Sequence, residues 1–527
     1  MKRLAAASLL ALALVGCPDA KNAGSGAGTG TAEPAAATGV LIFGRGSDSI
    51  TLDPPRAEDG ESVAVIDNVF DSLVRYSDDA SKIEPALADK WERSADGKTW
   101  TFELAKGVKF HDGSDFNADA VVFTFERLLK KDHPFHDVDF VNVELYQPIE
   151  KVEAKGPHTV VFTLSRPVAA FLGNLTVYTA RIVSPEAFKK LGAKGFAEKP
   201  VGTGPFVFKS WQRDQKIVLE ANKGYWKGAP LVEQVVLVAI KENATRLNML
   251  KAGKLHIMDG VSPVVAKEVE ADKNLQLLRQ TGMNVGYMAF NCEKKPFDDP
   301  KVRRAIALAV DANRIVATNF QGMGTAARNP MPPFIFGWDD SAPEAGANKE
   351  EAKKLLAEAG VKDLKVELLH MSTPRPYFPE PKQTALVIQD DLKQIGLEVT
   401  LQTMDWKQYI PKTREGHYEI CLMGWTGDTS DPDNFLYVLM GKDNVGGTNV
   451  PRFQDATYND LCKKAQSELD EAKRKQLYVD AQKIVREQRP MLPLVHADAL
   501  AACQKNIKNM KLHPTGRREF RQVSIEK

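Results

Sequence analysis

From Val40 onward, strand-like and helix-like patterns of apolar and polar positions are mixed rather than regularly alternating. Residues 91–104, WERSADGKTWTFEL, place Asp96-Gly97 between two strand-like runs, and such a dipeptide readily takes the positive φ of a tight hairpin turn. Residues 159–164, TVVFTL, and 217–220, IVLE, are rich in β-branched side chains and continue the strand pattern. Residues 205–221 read as a further hairpin broken by the polar stretch from Gln212 to Gln215, and 117–130 reads as a helix. This part of the chain predicts a β-rich lobe of α+β type.

The grammar shifts after about residue 297. A helix is predicted over 299–317, where Val302, Ile306, Ala309 and Val310 recur at helical spacing, and another over 349–359, stopped by Gly360. Strand 365–369, a Pro-rich loop, helix 383–394, strand 397–402, an amphipathic segment 405–415 and strand 418–424 then follow in order. Strands joined through helices predict a parallel sheet, and hence an α/β lobe. The absence of any fixed-period repeat argues against a solenoid.

The first residues follow a different rule. Lys2 and Arg3 precede an apolar run from Leu4 to Val15, interrupted only by Ser8, and then Gly16 and Cys17. The run is shorter than the roughly 20 residues a membrane-spanning helix needs, so 1–16 is expected to be a signal peptide. Leu14-Val15-Gly16-Cys17 resembles a bacterial lipobox, which makes Cys17 the expected lipidated N-terminus; the alternative is an ordinary secretory signal with an incidental cysteine. Residues 17–38 comprise that cysteine and small or Pro-rich sequence, a tether with a reach of about 25 Å.

Composition narrows the function classes. A body of nearly five hundred residues exceeds what one core supports, so two or three domains are expected. The 70 Lys and Arg balance 69 Asp and Glu with the signs interspersed, which excludes the basic stripe that nucleic acid requires. Cys292, Cys421, Cys462 and Cys503 are far apart in sequence and allow three pairings, so no disulfide is assigned; Cys421, inside an apolar run, reads as a buried strand residue.

Ligands of open α/β sheets lie beyond the carboxyl ends of the strands. Two loops there qualify: Met371–Pro381, with Arg375 and Tyr377 between prolines, and Trp425–Asn434, with Trp425 and Asp428. A guanidinium and a carboxylate on neighbouring loops suit a zwitterion such as a dipeptide, Arg375 clamping its carboxylate and Asp428 accepting from its ammonium. The alternative is that Arg375 and Asp428 pair with each other or face solvent. Asp428, Asp431 and Asp433 do not follow a calcium-loop pattern, and Pro432 interrupts them. His133 and His136, in KDHPFHD, have metal-like spacing but read as an exposed loop, so no metal is expected. No motif-supported catalytic set, P-loop, GxGxxG or HExxH occurs, which argues against an enzyme, including an envelope peptide hydrolase.

Longer runs carry a family resemblance. These are 85–113 (PALADKWERSADGKTWTFELAKGVKFHDG), 201–206 (VGTGPF), 222–226 (NKGYW), 283–291 (MNVGYMAFN), 299–310 (DPKVRRAIALAV), 375–389 (RPYFPEPKQTALVIQ) and 424–435 (GWTGDTSDPDNF). The chain resembles solute-binding family 5 of bacterial ABC importers, the peptide and nickel binding family, and within it the dipeptide-binding members. The resemblance implies a two-lobed periplasmic binding protein fold of the large, three-domain type (class II, cluster C). Domain I would be discontinuous, over 39–71, 203–280 and 499–527; domain II would be a β-rich insertion over 72–202, and domain III the second lobe, 281–498.

It also implies that Asp428 holds a peptide ammonium and Arg375 its carboxylate, with Pro376, Tyr377, Trp425, Thr426 and Gly427 beside them. Glu58, Asp59 and Gly60 fall where the first lobe contributes backbone contacts. The expected partners are a short peptide, the importer's transmembrane permease, and a membrane on the periplasmic side of the cell envelope, through lipid on Cys17. A monomer with no cofactor is expected. The same fold also serves longer peptides, glutathione, haem and nickel complexes, and a surface adhesin or chaperone is a further alternative.

Overall fold

In the computed structural model, which describes residues 39–526, the hairpin around Asp96-Gly97 opens a four-stranded antiparallel sheet. Its strands, in spatial order, are Ala88–Arg93, Thr99–Leu104, Thr159–Leu164 and Ile149–Ala154. Gly97 has φ +71°, and the Asp96 carboxylate accepts from Ser94 Oγ (2.5 Å) and Lys98 N (3.1 Å), which fixes the turn. Alternate residues Trp100, Phe102, Leu104, Val160, Phe162 and Leu164 are buried beneath the helix Ala118–Leu129, whose Phe125 meets Phe162 edge-on at 5.0 Å. Burying each such ring contributes about 2 kcal/mol.

The other strands that matter to the site form a twelve-stranded mixed sheet running through both lobes. In the first lobe, Val40–Arg45 lies parallel to both Gln234–Ala239 and Ile257–Asp259, and the hairpin Phe206–Gln212 with Lys216–Ala221 extends the edge. In the second lobe Lys365–Met371 is parallel to Glu398–Met404 and to Ile420–Thr426, as the strand-helix alternation requires. The sheet is not wholly parallel, however. Ile420–Thr426 pairs antiparallel with Asn284–Phe290, which pairs antiparallel with the strand Met491–Gln504.

That last strand joins the lobes. Its residues Met491–Val495 pair with Asn284–Phe290, and its residues Asp498–Gln504 pair with Leu275–Thr281. Two extended segments therefore cross side by side near Gly282 and Ala497. Asn284 ties them: its Nδ2 donates to Ala497 O (2.8 Å) and its Oδ1 accepts from Ala497 N (2.9 Å).

The helix expected over 299–317 is two helices, Pro300–Ala309 and Ala312–Asn319. Asp311 interrupts it because its carboxylate accepts from Arg314 N (3.1 Å), a cap that begins a new helix where apolar periodicity alone would continue the old one. Trp425 and Thr426, assigned to a loop from sequence, are the last residues of the strand Ile420–Thr426. All four cysteines among the described residues are free, and Cys421 is buried in that strand. The expected signal peptide, Cys17 and the tether lie outside the described residues. No helix among the described residues is long and apolar enough to cross a membrane.

Candidate functional site

Three parallel strands end at one edge of the second lobe, at Met371, Met404 and Thr426. The segment after Met371 turns at once. Phe378 N donates to Arg375 O (3.0 Å) and Arg375 N to Phe378 O (2.9 Å), so Arg375-Pro376-Tyr377-Phe378 is a tight turn with Pro376, pre-set in φ, at its first central position. The turn rests on two glycines paired across neighbouring strands, Gly286 and Gly424. A Cβ on Gly424 would stand 2.2 Å from the Tyr377 ring, and one on Gly286 2.8 Å from the Tyr377 carbonyl, so the close approach depends on their absence. Tyr377 is buried there, and burial pushes its hydroxyl up to about 12.

Arg375 projects from this turn over Trp406, with Cζ 3.5 Å from the ring centroid. Trp406 begins the helix Trp406–Arg414, just beyond the strand Glu398–Met404, and Asp405 caps it by accepting from Lys407 N (3.0 Å). No carboxylate pairs with Arg375 among the described residues, and its Nε is buried without a hydrogen-bond partner. Burial accordingly depresses the guanidinium's pKa below its usual value. A stacked guanidinium with no carboxylate partner among the described residues can offer its planar fork to an anion.

The loop after Thr426 is fixed by its own side chains. Asn434 Oδ1 accepts from Trp425 Nε1 (3.0 Å) and from Asp428 N (3.1 Å), while Gly427 N donates to Met283 O (2.7 Å). Two of the three carboxylates in the loop have partners. Asp431 accepts from Arg474 (2.8 Å to each oxygen), and Asp433 accepts from Gln466 Nε2 (3.0 Å). Asp428, by contrast, has no cation and no side-chain hydrogen bond among the described residues. Loss of water around it, with the negative charge of Glu144 nearby, pushes its carboxyl up to about 6. Arg375 and Asp428 do not neutralise each other, since neither takes part in an ion pair among the described residues.

The first lobe supplies the facing wall. Tyr178 Oη donates to Ala57 O (2.9 Å), and burial with the charges of Asp428, Glu58 and Asp59 raises its pKa above the usual phenol value. Glu58 and Gly60 are exposed at the start of the helix Gly60–Val69. Asp59 caps that helix, its carboxylate accepting from Ser62 N (2.7 Å) and Ser62 Oγ (2.6 Å), so its side chain is committed to the fold. The lobes also touch directly where Ser430 N donates to Tyr76 Oη (3.1 Å). Pro376 and Thr426 are exposed, and Gly427 is buried with its Cα facing the Phe435 ring.

Sequence reasoning singled out Arg375, Tyr377, Trp425 and Asp428 but not Trp406, Tyr178 or Glu144. Trp406 was accessible to the same edge rule, applied to the third parallel strand. His133 and His136 turn inward instead of forming a metal pair: His133 Nδ1 accepts from Phe135 N (3.2 Å) with its ring 5.0 Å from Phe123, and His136 Nδ1 bonds Arg127 O (3.0 Å). No cluster of three metal-binding side chains occurs among the described residues.

The family model of bacterial extracellular solute-binding proteins, family 5 Middle, matches residues 82–447. The chain belongs to this family. It is a solute-binding protein, not an enzyme. It is 37% identical over 521 residues to di/tripeptide-binding protein 1 of Pseudomonas aeruginosa, covering 95% of this chain and 97% of that one. It is 36% identical over 475 residues to heme-binding protein A of Haemophilus influenzae, covering 87% of each. The crystal structure of a dipeptide-binding protein from Pseudoalteromonas sp. SM9913 in complex with Met-Leu superposes with TM-score 0.81 at 29% identity, covering 93% of this chain and all of that one. The mixed α/β, two-lobed architecture of this solute-binding protein is thus that of its family.

Proposed function

We propose that this solute-binding protein captures short peptides, dipeptides foremost, by their charged termini and delivers them to the transmembrane permease of an ABC importer. In this reading it works as a monomer on the periplasmic side of the envelope, tethered by lipid on Cys17. In the same reading its domains are 39–71 with 203–280 and 499–527, then 72–202, then 281–498. The observation that carries the reading is one lobe presenting two uncompensated charges of opposite sign, Arg375 stacked on Trp406 and Asp428 on the loop after the neighbouring strand. The relative that binds di/tripeptides and the one solved with Met-Leu support the ligand class.

A free peptide satisfies both charges at once. Its carboxylate takes the fork of Arg375 and its ammonium donates to Asp428, while the side chains need only space. Length follows from the rigid turn under Arg375, because one more residue moves the carboxylate by about 3.5 Å. The test is mass spectrometry of ligand released from freshly purified protein, followed by titration of delipidated protein with Ala-Ala and Ala-Ala-Ala. Free short peptides in the released fraction and saturable Ala-Ala binding are expected; a haem or metal complex as sole ligand, with no peptide binding, would overturn the reading.

Two further outcomes follow from the geometry. With its carboxyl near 6 in the unliganded protein, Asp428 must lose a proton to receive an ammonium. Affinity should therefore fall as pH drops below about 6, and fall again above about 8, where the peptide ammonium itself deprotonates. Calorimetry at pH 5.5 in buffers of different ionisation enthalpy should register proton release on binding. Separately, Trp406→Leu removes the face on which Arg375 lies, and should weaken Ala-Ala binding by roughly 3- to 30-fold, the scale of a cation-π contact.

A further inference from the structure

Beyond the two termini, the wall opposite Asp428 carries acidic groups that the peptide backbone does not use. Three first-lobe segments meet there. Val141 N donates to Pro55 O (2.8 Å) and Tyr178 Oη to Ala57 O (2.9 Å), which joins the segment leading to Glu144 and the one leading to Glu58 around a single tyrosine. Both glutamates are exposed, and neither forms an ion pair among the described residues. Arg56, on the same wall, is already paired with Asp137 at 2.9 Å. The charges of Glu58 and Asp428 both reach Tyr178, and that of Glu144 reaches Asp428. Acidic side chains on a surface are ordinarily solvated; here the charge of Glu144 acts on a carboxylate that is largely withdrawn from water, and that of Glu58 on the tyrosine beside it.

The end of a peptide held by Asp428 is its N-terminal residue. One positive charge, the ammonium, compensates one carboxylate, and Glu58 and Glu144 stay uncompensated in a cleft that loses water on closure. We infer that Glu144 and Glu58 select for a cationic side chain on the first residue of the peptide, so that the preferred ligands begin with Lys or Arg. The inference rests on the proposed binding of peptide termini by Arg375 and Asp428. A lysine side chain extends along the wall and places a second positive charge among the glutamates. The hydrocarbon stem packs against the tyrosine, while the ammonium stays partly hydrated. An acidic first residue meets repulsion from both.

The experiment is calorimetric titration of Lys-Ala, norleucine-Ala, Glu-Ala, Ala-Lys and Ala-Ala. Norleucine supplies the lysine stem without its charge. Lys-Ala is expected to bind about 5- to 10-fold tighter than norleucine-Ala, the scale of two partly exposed charge pairs, with Glu-Ala weakest and no comparable gain for Ala-Lys. Glu144→Gln combined with Glu58→Gln should bring the ratio of Lys-Ala to norleucine-Ala close to one. High salt should compress the ratio in the wild type. Equal affinity for Lys-Ala and norleucine-Ala, or a ratio that survives the double substitution, would overturn the inference while leaving terminal capture intact. Failure of Ala-Ala to bind at all would instead remove the reading on which it rests.

Discussion

Asp428→Asn is expected to weaken peptide capture by orders of magnitude while making the protein without peptide more stable. The carboxylate is short of water and has no cation partner among the described residues, so the protein without peptide carries the cost of ionising it. The sign follows from linkage. The group titrates near 6 in the folded chain and near 4 when unfolded, so the folded state binds more protons in between and stability falls as pH rises through that window. Below about 4 the group is protonated in both states and costs nothing. At pH 8 the penalty is fully present, on the order of 2 kcal/mol for a group with partial solvent access. Asparagine removes it. Chemical denaturation should therefore show the variant more stable than wild type at pH 8 and equal to it at pH 4. Titration of the same variant should show Ala-Ala affinity reduced by about 100- to 1,000-fold, because the peptide ammonium then loses the one carboxylate placed to accept its hydrogen bond.

Arg375→Ala should cost a comparable factor from the other end of the ligand. The substitution strands the peptide carboxylate in a cleft with no other unpaired cation in the turn that holds it, again about 100- to 1,000-fold in affinity. Arg375→Lys is the sharper variant. It keeps the charge but loses the planar fork and the stacking on Trp406, so it should recover only part of the affinity. The fold should tolerate both changes, since Arg375 holds the turn through its backbone alone, by the paired bonds to Phe378. Calorimetry alongside circular dichroism separates lost binding from lost structure. Wild-type affinity in Arg375→Ala would remove the guanidinium from the account.

Local rules were enough wherever one short segment decides its own conformation. The strand over 159–164 coincides with Thr159–Leu164, and the turn at Asp96-Gly97 forms because its aspartate bonds its own neighbours. The helix over 299–317 misled because Val310 keeps the apolar period while Asp311 ends the helix by capping the next. Trp425 and Thr426 look like loop residues beside Gly427, yet cross-strand pairing to Val285 and Asn284 draws them into the sheet. The same distinction governs the site. Arg375 and Asp428 were legible as candidates because the ends of parallel strands can be located without any knowledge of the other lobe. Tyr178, Glu144 and Tyr76 were not, because they reach Asp428 and Ser430 only through the folding of segments some 250 or more residues away. The twin glycines Gly286 and Gly424 carried no local signal either, since their role appears only when their strands pair and the Tyr377 ring settles on them.

Capture by two charged ends is the central claim, and blocking each end in turn tests it most directly. Delipidated protein would be titrated at pH 7 with Ala-Ala, N-acetyl-Ala-Ala and Ala-Ala-amide. Saturable binding of the free dipeptide, with each blocked form weaker by about 100-fold or more, is the predicted result. Blocked peptides binding as tightly as free Ala-Ala would contradict it.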